Sequence, residues 1–275
     1  MLLGSASPAL LRQAGESLLG RVEVIEGNGF RIEEVTPAQQ QRLWLRGGYP
    51  RAFLAGSDAD SHSWRVHAMQ RHVESDLPQF GVNVAAPAML RFWRMLARSY
   101  GQIWNAADPA RSLGVSEPTV RRYLDVLTQT FMLRQLQPWF ENLAKRPIEA
   151  PTIYLRGSGF LHSFMGTSIL GELLAHPRCG ASWEGFALEQ VLRLSQPDEA
   201  FFWATHNGAE LDLLLLKNGR RTGVEFKHVD APRMTASMHI ALADLSFDRL
   251  YVVYPGDRRY QIQERVEAVS LAALL

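Results

Sequence analysis

The chain has 275 residues, 47% hydrophobic and 21% charged, with 29 Lys+Arg against 28 Asp+Glu for a formal net charge of +1. Such a composition belongs to a globular chain long enough for one large or two small domains, and so even a balance excludes a partner legible from net charge alone. The lone cysteine, Cys179, excludes an internal disulfide and a cysteine-based zinc site. No apolar run approaches the roughly 20 residues of a membrane span, and the start Met1-Leu2-Leu3-Gly4-Ser5 lacks a cationic signal region, so a soluble cytoplasmic protein is expected.

In chain order, Ser7-Pro8 opens a helix, with Ser7 capping and Pro8 in its first turn; Gly20 stops it, and 22–25 is a short strand. Leu2-Leu3 reads as the end of a buried strand with no sheet before it. An apolar edge left there would invite a homo-oligomer. Residues 37–104 read as mostly helical, broken at Gly47-Gly48-Tyr49-Pro50, and 89–100 is amphipathic with Arg91, Arg94 and Arg98 on the wet side.

Residues 102–140 carry helix-turn-helix grammar: a short helix, a turn at Gly114, Ser116 as a cap and Glu117-Pro118 opening the next helix. Val120, Tyr123, Leu124, Leu127 and Phe131 form one core-facing stripe, and Met132 onward is expected to begin a wing strand. Arg121 and Arg122 project away from the stripe, with Arg111 nearby. Contact with DNA phosphates or base edges is one reading of them; contact with another protein is the other.

From about 151 the texture is α/β: a strand at 152–155, a helix at 181–195, a strand at 200–204, a hairpin, a helix at 234–245, a buried strand at 249–254, and a tail with a short strand and helix. A small mixed sheet with helices on its faces is predicted.

The hairpin is Glu210-Leu211-Asp212-Leu213-Leu214-Leu215-Leu216, then Lys217-Asn218-Gly219-Arg220, then Val224-Glu225-Phe226-Lys227. Residues i and i+2 share a strand face, so Glu210 and Asp212 point together, as do Glu225 and Lys227. Two acids and a lysine suit a divalent metal with a charge stabiliser for phosphodiester cleavage; a solvated hairpin with alternating charge is the plain alternative. On the helix over 181–195, Trp183, Ala187, Val191, Leu194 and Leu188 form an apolar arc. Glu184 falls inside it, while Glu189 falls on the far side near Arg193. A buried carboxylate needs a partner or a metal, and Asp212, Glu225 and Lys227 are the groups expected to supply one, with a plain Glu184–Lys227 salt bridge as the alternative. The eight histidines form no ligand set, and neither a nucleophile elbow nor a phosphate-binding Gly-x-x-x-x-Gly-Lys-[Ser/Thr] loop occurs.

Several stretches together resemble a prokaryotic family that joins an AAA-type ATPase domain to a C-terminal domain of unknown function. These are Leu3 to Pro8 with Leu18-Leu19-Gly20-Arg21, Gly47-Gly48-Tyr49-Pro50, Glu74-Ser75-Asp76-Leu77, Leu113-Gly114-Val115-Ser116 with Tyr123-Leu124, Lys145-Arg146 through Tyr154, Gly157-Ser158-Gly159, and the block Glu184, Glu210-Leu211-Asp212, Glu225-Phe226-Lys227. That last block is similar to the PD-(D/E)xK nuclease superfamily.

The resemblance implies a mixed α/β chain: an ATPase-end remnant over 1–35, a helical lid-like region over 36–100, a winged helix-turn-helix over 101–150 and a restriction-endonuclease-like α/β domain over 151–275. It implies that Asp212 and Glu225, with Glu184, hold Mg²⁺ or Mn²⁺, that Lys227 is the catalytic cation beside them, and that Glu210 is an accessory carboxylate. Ser5 and Arg21 stand where the family senses nucleotide phosphate. No Walker segment is present, so the chain is expected not to hydrolyse ATP alone. Arg156 replaces an aspartate of many relatives, which suggests a lost role for that loop. Two functions follow: a metal-dependent DNA nuclease delivered by the winged helix, or the regulatory and interaction half of an ATPase with the nuclease-like fold kept as scaffold.

Overall fold

The computed structural model describes residues 27, 29–79, 82, 84–140 and 150–274. Ser5, Arg21, the helix expected from Ser7, the strand at 22–25 and the proposed N-terminal edge lie outside the described residues.

The helical half contains α1 (Gln40–Arg46), α2 (Pro50–Phe53), α3 (Asp58–Arg71), α4 (Ala86–Arg98), α5 (Ala107–Leu113) and α6 (Glu117–Gln129). The break at Gly47-Gly48-Tyr49-Pro50 has a steric cause. Gly47 ends α1 at φ +78°, and a Cβ there would stand 3.0 Å from the Gly159 nitrogen. Pro50 then sits in the first turn of α2. α4 buries Met89, Phe92, Trp93, Leu96 and Ala97 and leaves Arg91, Arg94 and Arg98 exposed, the amphipathic division read from the sequence.

α5 and α6 form the helix-turn-helix, with Gly114 left-handed and the Ser116 hydroxyl capping the Thr119 amide. Val120, Tyr123, Leu124 and Leu127 are buried. Phe131 leaves the expected stripe: α6 ends at Gln129, and Phe131 takes φ +59° in the turn beyond it.

The next strand is not a detached wing. β1 (Leu133–Pro138) pairs antiparallel with β2 (Thr152–Leu155) and parallel with β3 (Glu199–Ala204), so it belongs to the main sheet. That sheet has eight strands in the order β2-β1-β3-β4-β5-β6-β8-β7. The others are β4 (Glu210–Lys217), β5 (Arg220–Phe226), β6 (Arg249–Tyr254), β7 (Tyr260–Gln263) and β8 (Val266–Ser270). The β4–β5 turn is two residues, Asn218 and Gly219, both at positive φ, the geometry that Asn-Gly favours between twisted strands. The strand expected at 152–155 is β2, and the sheet is larger than expected by β1, from before residue 151, and by β7, whose short Tyr-Gln-Ile-Gln run gives little strand signal.

Three helices lie between β2 and β3: α7 (Ser158–Met165), α8 (Leu170–Ala175) and α9 (Cys179–Ser195); α10 (Ala236–Asp244) follows β5. Ala187 and Leu188 of α9 share one core with Leu213 and Val224, whereas Met238 and Ala241 of α10 share another with Leu214 and Leu250. Mixed α/β architecture follows, a helical half and then an eight-stranded mixed sheet with helices against it.

α9 is buried almost all round, including the far side from its apolar arc, where Glu189 lies near Arg193. Glu189 does not face water. It is 5% exposed and accepts a two-pronged ion pair from Arg134 of β1, with Nη2 at 3.1 Å from Oε2, and a further contact from Arg156 Nε at 3.3 Å. Arg156, itself 7% exposed, therefore has a structural role of its own. Nearby, Arg65 is 1% exposed and donates to the carbonyls of Ser61, Leu45 and Gly159, tying α1, α3 and α7 together.

Burial alone would raise the Glu189 pKa, but Arg134 first, then Arg156 and Arg193, pull it down to about 2 from 4.5. A depressed acid stabilises the fold above its unfolded value and loses that contribution as pH falls. Resistance to urea should therefore fall from pH 4.5 towards pH 2. Glu189→Ala should cost about 3–5 kcal/mol at pH 7, because it removes one partner of a buried ion pair.

Candidate functional site

The β4–β5 hairpin is regular only as far as Leu213↔Val224. On its other side, Phe201 pairs with Leu214 but Trp203 pairs with Leu211, so Asp212 and Leu213 together oppose Phe202. This is a β-bulge, a device that interrupts a ladder and re-aims side chains. Past the bulge, carboxylates take over from backbone carbonyls. Asp212 Oδ2 accepts the Phe226 amide at 2.7 Å, and Glu225 Oε2 receives the Asp212 amide at 3.4 Å. Lys227 donates its Nζ to Glu225 Oε1 at 2.8 Å, while its own amide bonds to the Val253 carbonyl at 2.9 Å, anchoring it beside β6.

Glu184 comes from α9, held by a 2.7 Å hydrogen bond from the Tyr154 hydroxyl of β2 to its Oε1. Glu225 is 2% exposed, Glu184 and Asp212 are half-buried, Lys227 keeps 35% of its side chain in water and Glu210 is exposed at the rim. The structure thus brings Glu184, Asp212, Glu225 and Lys227 into one mutually interacting group, with Glu210 close enough to raise the pKa values of Glu184 and Glu225.

Three acids against one lysine leave excess negative charge in a poorly hydrated place. Burial first, then Glu225 and Glu210, lift Glu184 to about 7, although the Tyr154 hydrogen bond and Lys227 oppose the shift. Burial, Glu225 and Glu184 hold Asp212 well above the usual aspartate range. Burial raises Glu225 too, against the pull of Lys227. Burial alone would lower the Lys227 pKa, but Glu225 and Asp212 outweigh it and raise it. Excess charge of this kind favours a proton or a cation.

The donor set consists of hard carboxylate oxygens, which fit Mg²⁺ or Mn²⁺ by type. In the side-chain arrangement seen, Lys227 and the Asp212 amide take both Glu225 oxygens, the Phe226 amide takes one of Asp212 and the Tyr154 hydroxyl one of Glu184. Among the described residues no three His, Cys, Asp or Glu side chains stand together as a metal cage. A cation would compete with Lys227 for Glu225.

The helix-turn-helix arginines stand apart from this group. Arg111 is 78% exposed with Asp108 at 3.4 Å, and Arg121 is 59% exposed with Glu117 at 3.8 Å and its guanidinium 5.7 Å from the Trp104 ring centroid. Arg122 is exposed. Acids on the same helices thus offset two of the three cations.

Sequence reading missed Tyr154 as a site residue; its place in a short apolar strand is no signal of chemistry. It also passed over a buried serine–histidine pair. Ser182 Oγ accepts Trp44 Nε1 at 3.0 Å and stands 2.6 Å from His162 Nε2, while His162 Nδ1 faces the Leu45 carbonyl at 2.8 Å. Burial lowers the His162 pKa to about 3, so it is neutral, and both residues are fully enclosed, which makes this a bracing contact for α1, α7 and α9.

Residues 179–274 match the model of a domain of unknown function, DUF4143. Residues 38–169 match a second domain of unknown function, DUF8612. Over 275 residues the chain is 45% identical to an uncharacterized protein of Mycobacterium tuberculosis and to one of Mycobacterium bovis. These alignments cover 100% of this chain and 62% of each relative, so the chain spans less than two thirds of their length. No solved structure matches it at a significant level. No helix among the described residues is long and apolar enough to cross a membrane.

The raised carboxyl pKa values set a stability profile with a definite sign. A group raised on folding contributes fully below its unfolded pKa and loses that contribution as pH climbs through the folded one. For Glu184 the window runs from 4.5 to about 7. Stability in urea should decline across that window, and Glu184→Gln should flatten the decline.

Proposed function

We propose that this chain cleaves phosphodiester bonds in DNA at the Glu184–Asp212–Glu225–Lys227 group, using Mg²⁺ or Mn²⁺. The observation that carries the reading is the break in the hairpin ladder. There the Asp212 and Glu225 carboxylates take backbone amides in place of ordinary ladder pairing, and Glu184 and Lys227 gather beside them. A fold spends buried charge in this way chiefly at functional sites.

Asp212, Glu225 and Glu184 would hold the cation, which when bound activates water and stabilises charge on the phosphate. Lys227 keeps water access while bonded to Glu225, so its ammonium can move to a phosphate oxygen without crossing an apolar barrier. There it would offset the negative charge that grows during cleavage. Glu210, exposed at the rim, adds a carboxylate to the approach.

DNA contact is assigned to Arg111, Arg121 and Arg122 beside the α5–α6 turn, and the exposure of all three supports that reading. Arg122→Ala should weaken DNA binding evenly across sequences and reduce its salt slope by about 1, measured by fluorescence titration at several salt concentrations.

Plasmid relaxation in Mn²⁺ tests the chemistry. Lys227→Ala and Asp212→Asn should each slow it about a hundredfold or more. Equal cleavage by wild type and Lys227→Ala sinks the catalytic reading.

The Lys227–Glu225 ion pair favours a second reading, in which the lysine closes the site. On that reading the chain is a regulatory and interaction module of an AAA-type ATPase that keeps a nuclease-like scaffold. Mn²⁺ would then leave the melting temperature unchanged.

A further inference from the structure

The outer face of α4 carries charge of one sign. Its 13 residues, Ala86–Arg98, include Arg91, Arg94 and Arg98 and no acid. Spaced at i, i+3 and i+7, the three share one stripe about 10 Å long at 1.5 Å of rise per residue. All are exposed, on the side away from the buried Met89, Phe92, Trp93 and Leu96. Among the described residues none of them has a carboxylate within ion-pair reach, whereas Arg111 and Arg121 each have one. Like charges at this spacing weaken a helix. The helix dipole favours a cation in the last turn, which accounts for Arg98 but not for Arg91 and Arg94 further up.

The stripe also connects the helix-turn-helix to the acid group. At one end Arg91 donates to the Ser112 carbonyl at 3.0 Å, beside Arg111 near the end of α5. At the other, Arg178 donates to the carbonyls of Arg98 and Tyr100, bringing a fourth guanidinium to the end of α4. The next residue, Gly101, lies against the acid group: a Cβ there would stand 3.3 Å from Glu184 Oε1. Resting on the DNA-binding reading above, we infer that Arg91, Arg94 and Arg98 form a phosphate track that holds the DNA backbone between the helix-turn-helix and the Glu184 group. Guanidinium forks match phosphate oxygens two at a time. At 3.4 Å per phosphate along one strand, about 10 Å of helix meets about three phosphates. Such contacts read no bases, so the track adds affinity without sequence preference.

The test is DNA binding by the full chain, followed by the anisotropy of a fluorescent duplex of about 20 base pairs over about 50–300 mM salt. EDTA in the buffer makes the result independent of metal binding and of cleavage. The variants are Arg94→Ala with Arg98→Ala, Arg94→Lys with Arg98→Lys, and Arg122→Ala. Alanine and lysine both keep a helix, and urea curves identify any variant that fails to fold. The alanine pair should lower the slope of log K against log salt by about 2, at about 0.9 per phosphate, and equally on unrelated sequences. The lysine pair keeps the charge and should keep the slope. A loss in the alanine pair with Arg122→Ala unchanged upholds the track and moves the DNA contact from the helix-turn-helix to α4. If wild type binds DNA and the folded alanine pair binds it with the same slope, the track is wrong while the helix-turn-helix reading stands. Equal losses in the alanine and lysine pairs also overturn it, since the arginines would then act through packing. Wild type that binds no DNA at about 50 mM salt overturns the DNA reading and the track together, and binding of poly-glutamate in its place would give the stripe to an acidic protein.

Discussion

The structure turns on one buried carboxylate, Glu189, clamped between Arg134 and Arg156. α9 lies in the middle of the molecule, with the sheet on one side and the helical half on the other, and at Glu189 it has no solvent in which to put a charge. A lone ionised carboxylate in that position would cost several kcal/mol. Supplying two guanidinium groups, one from β1 and one from the segment just after β2, removes most of that cost. It also fixes the helix to the two strands that extend the sheet. Everything else that α9 carries inherits this fixed position, including Ser182 under His162 and Glu184 under Tyr154.

Two charge clusters in the same molecule therefore have opposite characters. Around Glu189 the cations outnumber the acid and its pKa falls; around Asp212 the acids outnumber the cation and their pKa values rise. The first arrangement is what stability alone would select. The second works against stability at neutral pH, and it stands where the hairpin ladder stops, past Leu213↔Val224. The contrast is the physical ground for placing function at the second cluster. The bulge at Asp212 and Leu213 adds to this from the other side, because it interrupts the β3–β4 ladder at the residue whose carboxylate meets β5.

Much of this was legible in the sequence. The Asn218-Gly219 turn, the helix-turn-helix with Gly114 and Ser116, the amphipathic α4 and the convergence of Glu184 with the hairpin acids all come from local rules of spacing and capping. Misreadings arose where tertiary context decides. A helical wheel sets Glu189 on the far side of α9 near Arg193 and cannot name its partners across the fold; α9 has only Glu184, Glu189 and Arg193 as charges in 17 residues, a sparseness that already hints at burial all round. Phe131 fits the period of α6, but the helix stops two residues before it. β1 looks like a wing because its pairing partners lie more than a dozen residues away in β2 and some sixty away in β3, and no local pattern carries such register. Tyr154 was invisible for the same reason: only the fold places its hydroxyl against a residue thirty positions on.

Those long-range pairings also explain why the two halves act as one body. β1 and β2 follow the helix-turn-helix in sequence but close the sheet in space, so the helical half supplies the edge that covers β3. Without it, β3 would expose unpaired backbone and Glu189 would lose both cations. Glu184 would lose its phenol as well. The acid group therefore cannot keep its geometry on the hairpin alone. A cut between β2 and α9 would separate each carboxylate of α9 from the donor that makes its burial tolerable, and that dependence, more than the number of contacts between the halves, makes the folded unit indivisible.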